Sequence, residues 1–196
     1  TAFIDWDTAR RVAATNPRHG RIELTQRSFL ALQESLADVL TESYPKSAFR
    51  VSLRVYHGWH RGKTKTQDRR DFERDVIAGC ISRSINRISF PPEVTLGDTL
   101  LCGGPRCSLY DTLRRREDGT DEQKMVDTAL VSDLLHFARN NRDTLALVVG
   151  DDDDLLPGVF TALQWGANVK VIRLRENNNP HLLTDNLIHR MHRHTA

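Results

Sequence analysis

The sequence has few cysteines and no long apolar run. It contains three cysteines, Cys80, Cys102 and Cys107, and an odd number argues against a disulfide framework and fits a reducing compartment. Cys102 and Cys107 could form half of a structural zinc site, but no second cysteine pair or close histidine pair completes it. No apolar stretch approaches the roughly 20 residues of a membrane-spanning helix, and no signal peptide is evident. These absences predict a cytoplasmic protein without a membrane partner.

Lysine is also scarce among the 28 basic residues, which face 26 acidic ones and give a net charge of +2. Only five of the basic residues are lysines, so arginine dominates. Arginine suits bidentate recognition of phosphate, but the nucleotide composition of a gene can produce the same bias. The arginine content therefore carries little weight by itself.

The chain is long enough, at 196 residues with 39% hydrophobic content, to bury one good core, which predicts a single domain over 1–196. Apolar periodicity predicts strands at 2–5, 49–56, 145–149 and 169–174, and helices at 25–43, 67–86, 121–141, 155–166 and 184–194. The segment 88–119 is rich in proline and glycine and predicts an insertion or an extended edge segment. The alternation of strands and helices predicts an α/β fold, a three-layer αβα sandwich around a mostly parallel, Rossmann-like sheet.

Four consecutive aspartates, Asp151 to Asp154, follow an apolar run and Gly150. A buried strand that ends in this way places the side chains after it at the carboxyl edge of the sheet, where open α/β folds bind ligands. Carboxylates crowded there repel one another unless a cation or a proton offsets their charge. A solvated acidic turn that caps the next helix is the simpler alternative.

Two further aspartates are expected at the same edge. Asp5 ends the first strand, and it faces Asp151 if the first strand and the strand at 145–149 are neighbours. Asp127 joins them if its helix begins at that edge. Three converging carboxylates are hard oxygen ligands, which suit Mg²⁺ or Mn²⁺ better than zinc.

Three segments resemble, in order, the signatures of NYN domains in the PIN-like nuclease superfamily, which includes LabA-like proteins. They are Phe3-Ile4-Asp5, the stretch from Lys124 to Leu134 with Asp127 and Asp133, and the stretch from Val148 to Pro157. The resemblance covers about 1–175. The chain departs from the family where it has Asp7 and Thr8 instead of an asparagine soon after the first aspartate, and in one extra residue before Pro157.

The resemblance implies a PIN-like fold and a metal-dependent nuclease that hydrolyses phosphodiester bonds, most often in RNA, by a metal-activated water. By that resemblance Asp5, Asp127 and Asp151 are metal ligands, direct or through water, and Asp153 is a further ligand or a base. Because of the extra residue, Asp154 competes with Asp153 for this last role, although it is expected to cap the next helix. Asp152 is expected to point to solvent or to support the ligands. Single-stranded DNA stays open as a substrate, and so does homo-oligomerisation.

Two alternatives come from other functional classes. The stretch from Asp5 to Thr8 also resembles the DxDxT motif of haloacid dehalogenase-like phosphatases, in which Asp5 would be the nucleophile and Asp7 the acid/base. The second strand runs into Tyr56 and His57, however, without the hydroxyl that this family places there. The third reading is a non-catalytic RNA-binding regulatory module.

A basic and aromatic segment favours binding of nucleic acid, whether the protein is a nuclease or a non-catalytic RNA-binding module. The segment 56–70 contains Trp59, Arg61, Lys63 and Lys65, and Lys124 lies near the predicted carboxylates. Such cations can follow a phosphate backbone while Trp59 or Tyr56 stacks on a base. A solvated loop and helix face is the simpler explanation.

Overall fold

Thirteen strands and five α-helices make up the part of the chain described by the computed structural model, residues 1–13, 21–103, 107–174 and 187–191. The strands are β1 (Ala2–Asp5), β2 (Phe49–Arg50), β3 (Leu53–Tyr56), β4 (His60–Arg61), β5 (Thr64–Lys65), β6 (Arg83–Ile85), β7 (Ile88–Phe90), β8 (Val94–Leu96), β9 (Leu113–Arg115), β10 (Asp121–Gln123), β11 (Ala146–Val149), β12 (Val169–Leu174) and β13 (Ile188–Met191). The helices are α1 (Trp6–Arg10), α2 (Arg21–Ser43), α3 (Gln67–Phe72), α4 (Val126–Asn140) and α5 (Leu156–Gln164). A π-helical turn (Glu73–Ile77) continues α3, and a 3-10 turn (Asp153–Leu155) precedes α5.

The central sheet has six strands in the order β13-β12-β11-β1-β3-β8, and all neighbours are parallel. Strand β1 lies between β11 and β3. The strands β3 and β8 lie on one side of β1, and the later strands β11, β12 and β13 lie on the other. Ile4 pairs with Val149 and with Val55. The predicted strands at 2–5 and 145–149 are therefore neighbours, and the residues after them meet at the carboxyl edge.

The sheet separates two apolar layers, as the predicted three-layer αβα sandwich requires. In β1, Ala2 and Ile4 point to the face covered by α2, whereas Phe3 points to the face covered by α4 and α5, as the two-residue period of a strand demands. All three side chains are fully buried. No helix in the described ranges is long and apolar enough to cross a membrane.

The predicted helix at 67–86 is wrong beyond Ile77. Residues Arg83–Ile85 form β6, which pairs with β7 as an antiparallel hairpin closed by Asn86 and Arg87. Asn86 adopts a positive φ of 53°, which asparagine tolerates in tight hairpin turns. The predicted strand at 49–56 is also divided, because β2 pairs with β7 and only β3 belongs to the central sheet.

Two other predicted helices differ from the structure. The helix at 121–141 starts only at Val126, because Asp121–Gln123 forms β10 and pairs with β9. In the predicted helix at 184–194, residues Ile188–Met191 form a strand that pairs with the edge of β12, and the remainder lies outside the described residues. The segment 88–119 supplies β7, β8 and β9, of which β8 forms one edge of the central sheet.

Candidate functional site

A cavity of about 580 Å³ opens at the carboxyl edge of the sheet, where β1 and β11 end. Its lining consists of Asp5, Asp7, Thr8, Arg11, Gln123, Val126, Asp127, Asp151, Asp152 and Asp153. Four of the five aspartates predicted as metal ligands therefore line one cavity. The fifth, Asp154, is exposed and is not part of this lining.

Asp5 is fixed where β1 becomes α1. It is the N-cap of α1, and its carboxylate accepts hydrogen bonds from the backbone N–H groups of Asp7 and Thr8, each at 3.1 Å. The Thr8 hydroxyl donates a further bond of 2.6 Å to Asp5 Oδ2. The carboxylate thereby satisfies the first N–H groups of α1, and these hydrogen bonds hold it at the cavity wall.

Asp151 is held from the neighbouring strand. Its Oδ1 accepts a 2.9 Å hydrogen bond from the backbone N–H of Leu174, and its Oδ2 lies 3.0 Å from Arg11 Nη2. The glycine before it leaves room for the buried Leu155 side chain, because a Cβ at Gly150 would lie 2.5 Å from Leu155 Cδ1. The apolar run, the glycine and the aspartate thus form one unit that brings Asp151 to the edge.

Asp127 enters the cavity from the first turn of α4. The helix begins after Met125, whose φ of 65° is left-handed, an uncommon conformation for a residue other than glycine. Burial, and then the negative charges of Asp5, Asp152 and Asp154, raise the pKa of Asp127 above its usual value. Carboxylates from three separate parts of the chain thus act on one another electrostatically.

The roles of the other three aspartates of the run, Asp152 to Asp154, differ in part from the predicted ones. Asp152, not Asp154, is the N-cap of the 3-10 turn, and its carboxylate accepts a 2.9 Å bond from the Asp154 N–H. The assignment of the cap to Asp154 is therefore wrong, because Asp154 donates its backbone N–H to the cap of the 3-10 turn and Leu155 precedes α5 as its N-cap. Asp153 accepts a 2.7 Å hydrogen bond from Arg173 Nη2, although its side chain is 78% exposed.

The carboxylate oxygens that line the cavity are the kind of ligand that a hard divalent cation prefers. Among the described residues no three His, Cys, Asp or Glu side chains are grouped as a ready metal cluster. Mg²⁺ commonly binds proteins through one or two carboxylates and keeps several waters. Burial and the neighbouring carboxylates raise the pKa of Asp127, and a cation bound in the cavity would offset the charges of those carboxylates.

Thr8 links three residues of the site, Asp5, Asp151 and Arg11, by hydrogen bonds. Sequence reasoning missed this role. The buried Thr8 hydroxyl donates to Asp5, and it accepts hydrogen bonds of 3.1 Å from the Asp151 N–H and from Arg11 Nη2. The sequence carried one signal, since a threonine three residues after an N-cap aspartate belongs to the first turn of a helix. Nothing local indicated that Arg11 would reach Asp151, which is distant in sequence.

Gln123 and His57 extend the site toward α3 and were also missed. Gln123 Nε2 donates to the carboxylate of Asp7 and lies 3.1 Å from His57 Nδ1. The buried His57 lies between two carboxylates, 3.6 Å from Asp7 and 3.4 Å from Asp68. Strand β10 therefore completes one wall of the cavity, which no periodicity in its three residues predicts.

The predicted aromatic contact with a base is wrong for Trp59. Its side chain is completely buried and packs on Phe72, while its indole N–H donates to the Val55 carbonyl at 3.1 Å. Tyr56 is buried as well, and its hydroxyl donates to Asp133. Both rings belong to the core: Trp59 packs in the apolar layer on the α2 side of the sheet, and Tyr56 packs in the layer on the α4 and α5 side.

The predicted basic residues remain at the surface, and most have an acidic partner. Ion pairs join Arg61 to Asp121 at 2.6 Å, Lys65 to Glu73 at 2.8 Å and Lys124 to Glu122 at 2.9 Å, and Lys63 is exposed. Arg61 and Lys65 line a second cavity of about 520 Å³. Surface ion pairs of this kind are worth about 0–1 kcal/mol each, so a phosphate group could replace the carboxylates.

Comparison with protein family models, curated proteins and solved structures finds no match for this chain. The resemblance to NYN domains therefore stays a prediction. The chemistry of the cavity is the basis on which a function can be proposed.

Proposed function

We propose that the protein is a metal-dependent nuclease that hydrolyses phosphodiester bonds in single-stranded RNA. The observation that supports this proposal is the cavity that Asp5, Asp127 and Asp151 line together, in which burial and then the charges of neighbouring carboxylates raise the pKa of Asp127. Such crowding costs free energy in the protein alone, and a divalent cation would offset it.

In the proposed reaction these three carboxylates hold Mg²⁺ or Mn²⁺, directly or through water. The bound metal would supply a more acidic water and offset charge on the phosphoryl oxygens. The protein contributes orientation: the Thr8 hydroxyl and the Leu174 N–H restrain Asp5 and Asp151. In this proposal Asp153, which lines the cavity, is 78% exposed and pairs with Arg173, would add a further ligand or accept a proton.

A phosphatase that uses Asp5 as its nucleophile is less well supported. Asp5 already accepts three hydrogen bonds, two of them on Oδ2, and donors of this kind lower the nucleophilicity of a carboxylate. Asp7, which would serve as the acid/base, is engaged by Arg10 and Gln123. These contacts suit carboxylates that support a site better than groups that attack a substrate.

The test is cleavage of a labelled single-stranded RNA with Mn²⁺ or Mg²⁺, beside single-stranded DNA of the same sequence. The wild type should cleave the RNA, and Asp127→Asn and Asp151→Asn should each lower the rate by at least about 100-fold, since even outer-sphere partners of a metal cost 10–100-fold. Asp143→Asn is the matched control, because Asp143 is exposed in the turn that leads into β11.

Two results would overturn the proposal: no cleavage by the wild type with either metal, or cleavage that survives both substitutions. Turnover of a small phosphomonoester by the wild type, lost in Asp5→Asn, would favour the phosphatase instead. Cleavage of DNA at the same rate would retain the chemistry and widen the substrate class.

A further inference from the structure

We infer that Arg11 binds a phosphate group of the RNA substrate inside the cavity. This inference rests on the proposed nuclease function. No sequence motif assigns a role to Arg11, which ends the short helix α1. Its place among the cavity residues and the donors of its guanidinium that meet no acceptor among the described residues carry the inference.

The charges of the cavity create a need for such a residue. Six of its lining residues are aspartates, and Arg11 is the one basic side chain among the lining residues within the described ranges. A phosphodiester is an anion, so these carboxylates would repel it. One divalent cation offsets part of that charge, and a guanidinium at the wall offsets more and also supplies directed N–H donors.

The guanidinium of Arg11 is held in place along one edge. Nε donates to the Asp7 carbonyl at 3.2 Å, and Nη2 contacts Thr8 Oγ1 at 3.1 Å and Asp151 Oδ2 at 3.0 Å. In the described part of the chain, Nη1 meets no acceptor. Since the side chain is 43% exposed, its two Nη1 hydrogens remain accessible to a ligand.

These contacts place the available donors beside a proposed metal ligand. Arg11 and the backbone of Asp151 share the buried Thr8 hydroxyl, so Arg11 moves as part of the same unit as the carboxylates. A side chain already fixed in this way loses little conformational entropy when it binds a ligand. A phosphate held by Nη1 would therefore lie next to Asp151, where hydrolysis is proposed.

A purely structural role, in which Arg11 only orients Asp151, makes a different prediction. Loss of a phosphate contact changes the salt dependence of RNA binding, since each contact to a single strand contributes a slope of about −0.7 in log K against log salt. Loss of an internal ion pair leaves that slope unchanged. The salt slope thus separates the two roles even if Asp151 shifts.

The experiment measures binding of a fluorescent single-stranded RNA decamer, by anisotropy at several salt concentrations with Mg²⁺, to protein carrying Asp127→Asn to prevent cleavage. In that background, adding Arg11→Ala should weaken binding roughly tenfold or more, as loss of a charge-assisted hydrogen bond does, and reduce the slope by about 0.7. Arg11→Lys should restore the slope and only part of the affinity. Arg142→Ala, an exposed site in the turn before β11, should change neither.

The inference is overturned if Arg11→Ala leaves both affinity and slope unchanged, or if it lowers affinity with an unchanged slope. Either result leaves the nuclease proposal standing when the wild type cleaves RNA. Reduced binding and slope in Arg11→Ala, together with a wild type that does not cleave, would support the phosphate contact and reject the nuclease. An RNA that binds to none of the proteins rejects the phosphate contact.

Discussion

Asp133 shows how position on one helix decides what an aspartate does. The NYN-like pattern contains both Asp127 and Asp133, but six residues at about 100° each turn the second side chain about 240° away from the first. Asp127 lines the cavity, whereas Asp133 is completely buried on the inner side of α4. Its carboxylate accepts hydrogen bonds from Arg54 Nε, the Tyr56 hydroxyl and the Leu101 N–H, each at 2.7 Å. The second aspartate of the pattern is structural here.

We predict that Asp133→Ala destabilises the fold by about 3–5 kcal/mol, because it leaves the charge of the buried Arg54 without a partner. Replacing both members, as Arg54→Met with Asp133→Leu, should cost less than Asp133→Ala alone. Urea denaturation followed by circular dichroism measures both free energies of unfolding. The surface change Asp143→Ala should stay within about 0.5 kcal/mol of the wild type. Equal stability of Asp133→Ala and the wild type would show that the network contributes nothing.

Elements with strong local patterns were predictable, and those defined by distant pairing were not. The boundaries of β1 and β12 agree with the prediction, because buried parallel strands are continuous apolar runs. Strands β6 and β10 were predicted as helix, since three residues carry no period and their partners alone define them. The same limit applies to the site. The ends of the strands predicted Asp5 and Asp151, whereas Gln123 reaches the cavity wall because β10 pairs with β9 in a hairpin.

Packing between α4 and α5 depends on the absence of a side chain at Gly158. A Cβ there would lie 2.4 Å from Val131 Cγ1 and 3.3 Å from Val131 Cβ, and valine in a helix has essentially one favoured rotamer. Alanine gains about 1 kcal/mol in helix propensity, but overpacking of this kind costs about 1–3 kcal/mol. The clash also involves a rigid neighbour, so the packing cost should win.

We therefore predict that Gly158→Ala lowers the free energy of unfolding, measured in urea, by about 1 kcal/mol net. Gly79→Ala is the matched control, since a Cβ at Gly79 would meet no atom within 4 Å, and it should be neutral or slightly stabilising. In a double-mutant cycle, Val131→Ala should remove most of the penalty of Gly158→Ala. A penalty that persists in the double variant would place its cause elsewhere.

At the scale of the whole molecule, the order of the strands unites a site from segments more than 100 residues apart. Strand β1 is central, so Asp5 lies beside Asp151, which follows β11. Asp127 lies in the first turn of α4, the helix that leads into β11. The sequence predicted this meeting only on the condition that these strands are neighbours. The molecule carries a net charge of +2, yet this edge concentrates aspartates, so the cost of their repulsion falls on the stability of the whole fold.

The free-energy cost of this repulsion changes with pH in a definite direction. Burial and the nearby carboxylates raise the pKa of Asp127 in the folded state, so the unfolded chain loses this proton first as pH rises. Stability therefore falls as pH rises from the ordinary aspartate range, near about 3.9, through the raised pKa, and the loss is complete above it. Above the raised pKa the wild type carries the full loss, whereas Asp127→Asn does not ionise.

We predict that Asp127→Asn unfolds at a higher temperature than the wild type at pH 7 without divalent metal, and that the difference shrinks as pH falls below about 4. Added MgCl2 or MnCl2 should reverse the order at pH 7, because a cation that binds only the folded state stabilises it, by about 2.7 kcal/mol at 100 times its Kd. Thermal melts at both pH values, with and without metal, measure this. Asp143→Asn should follow the wild type throughout. If metal stabilises wild type and Asp127→Asn equally, Asp127 does not contribute to cation binding.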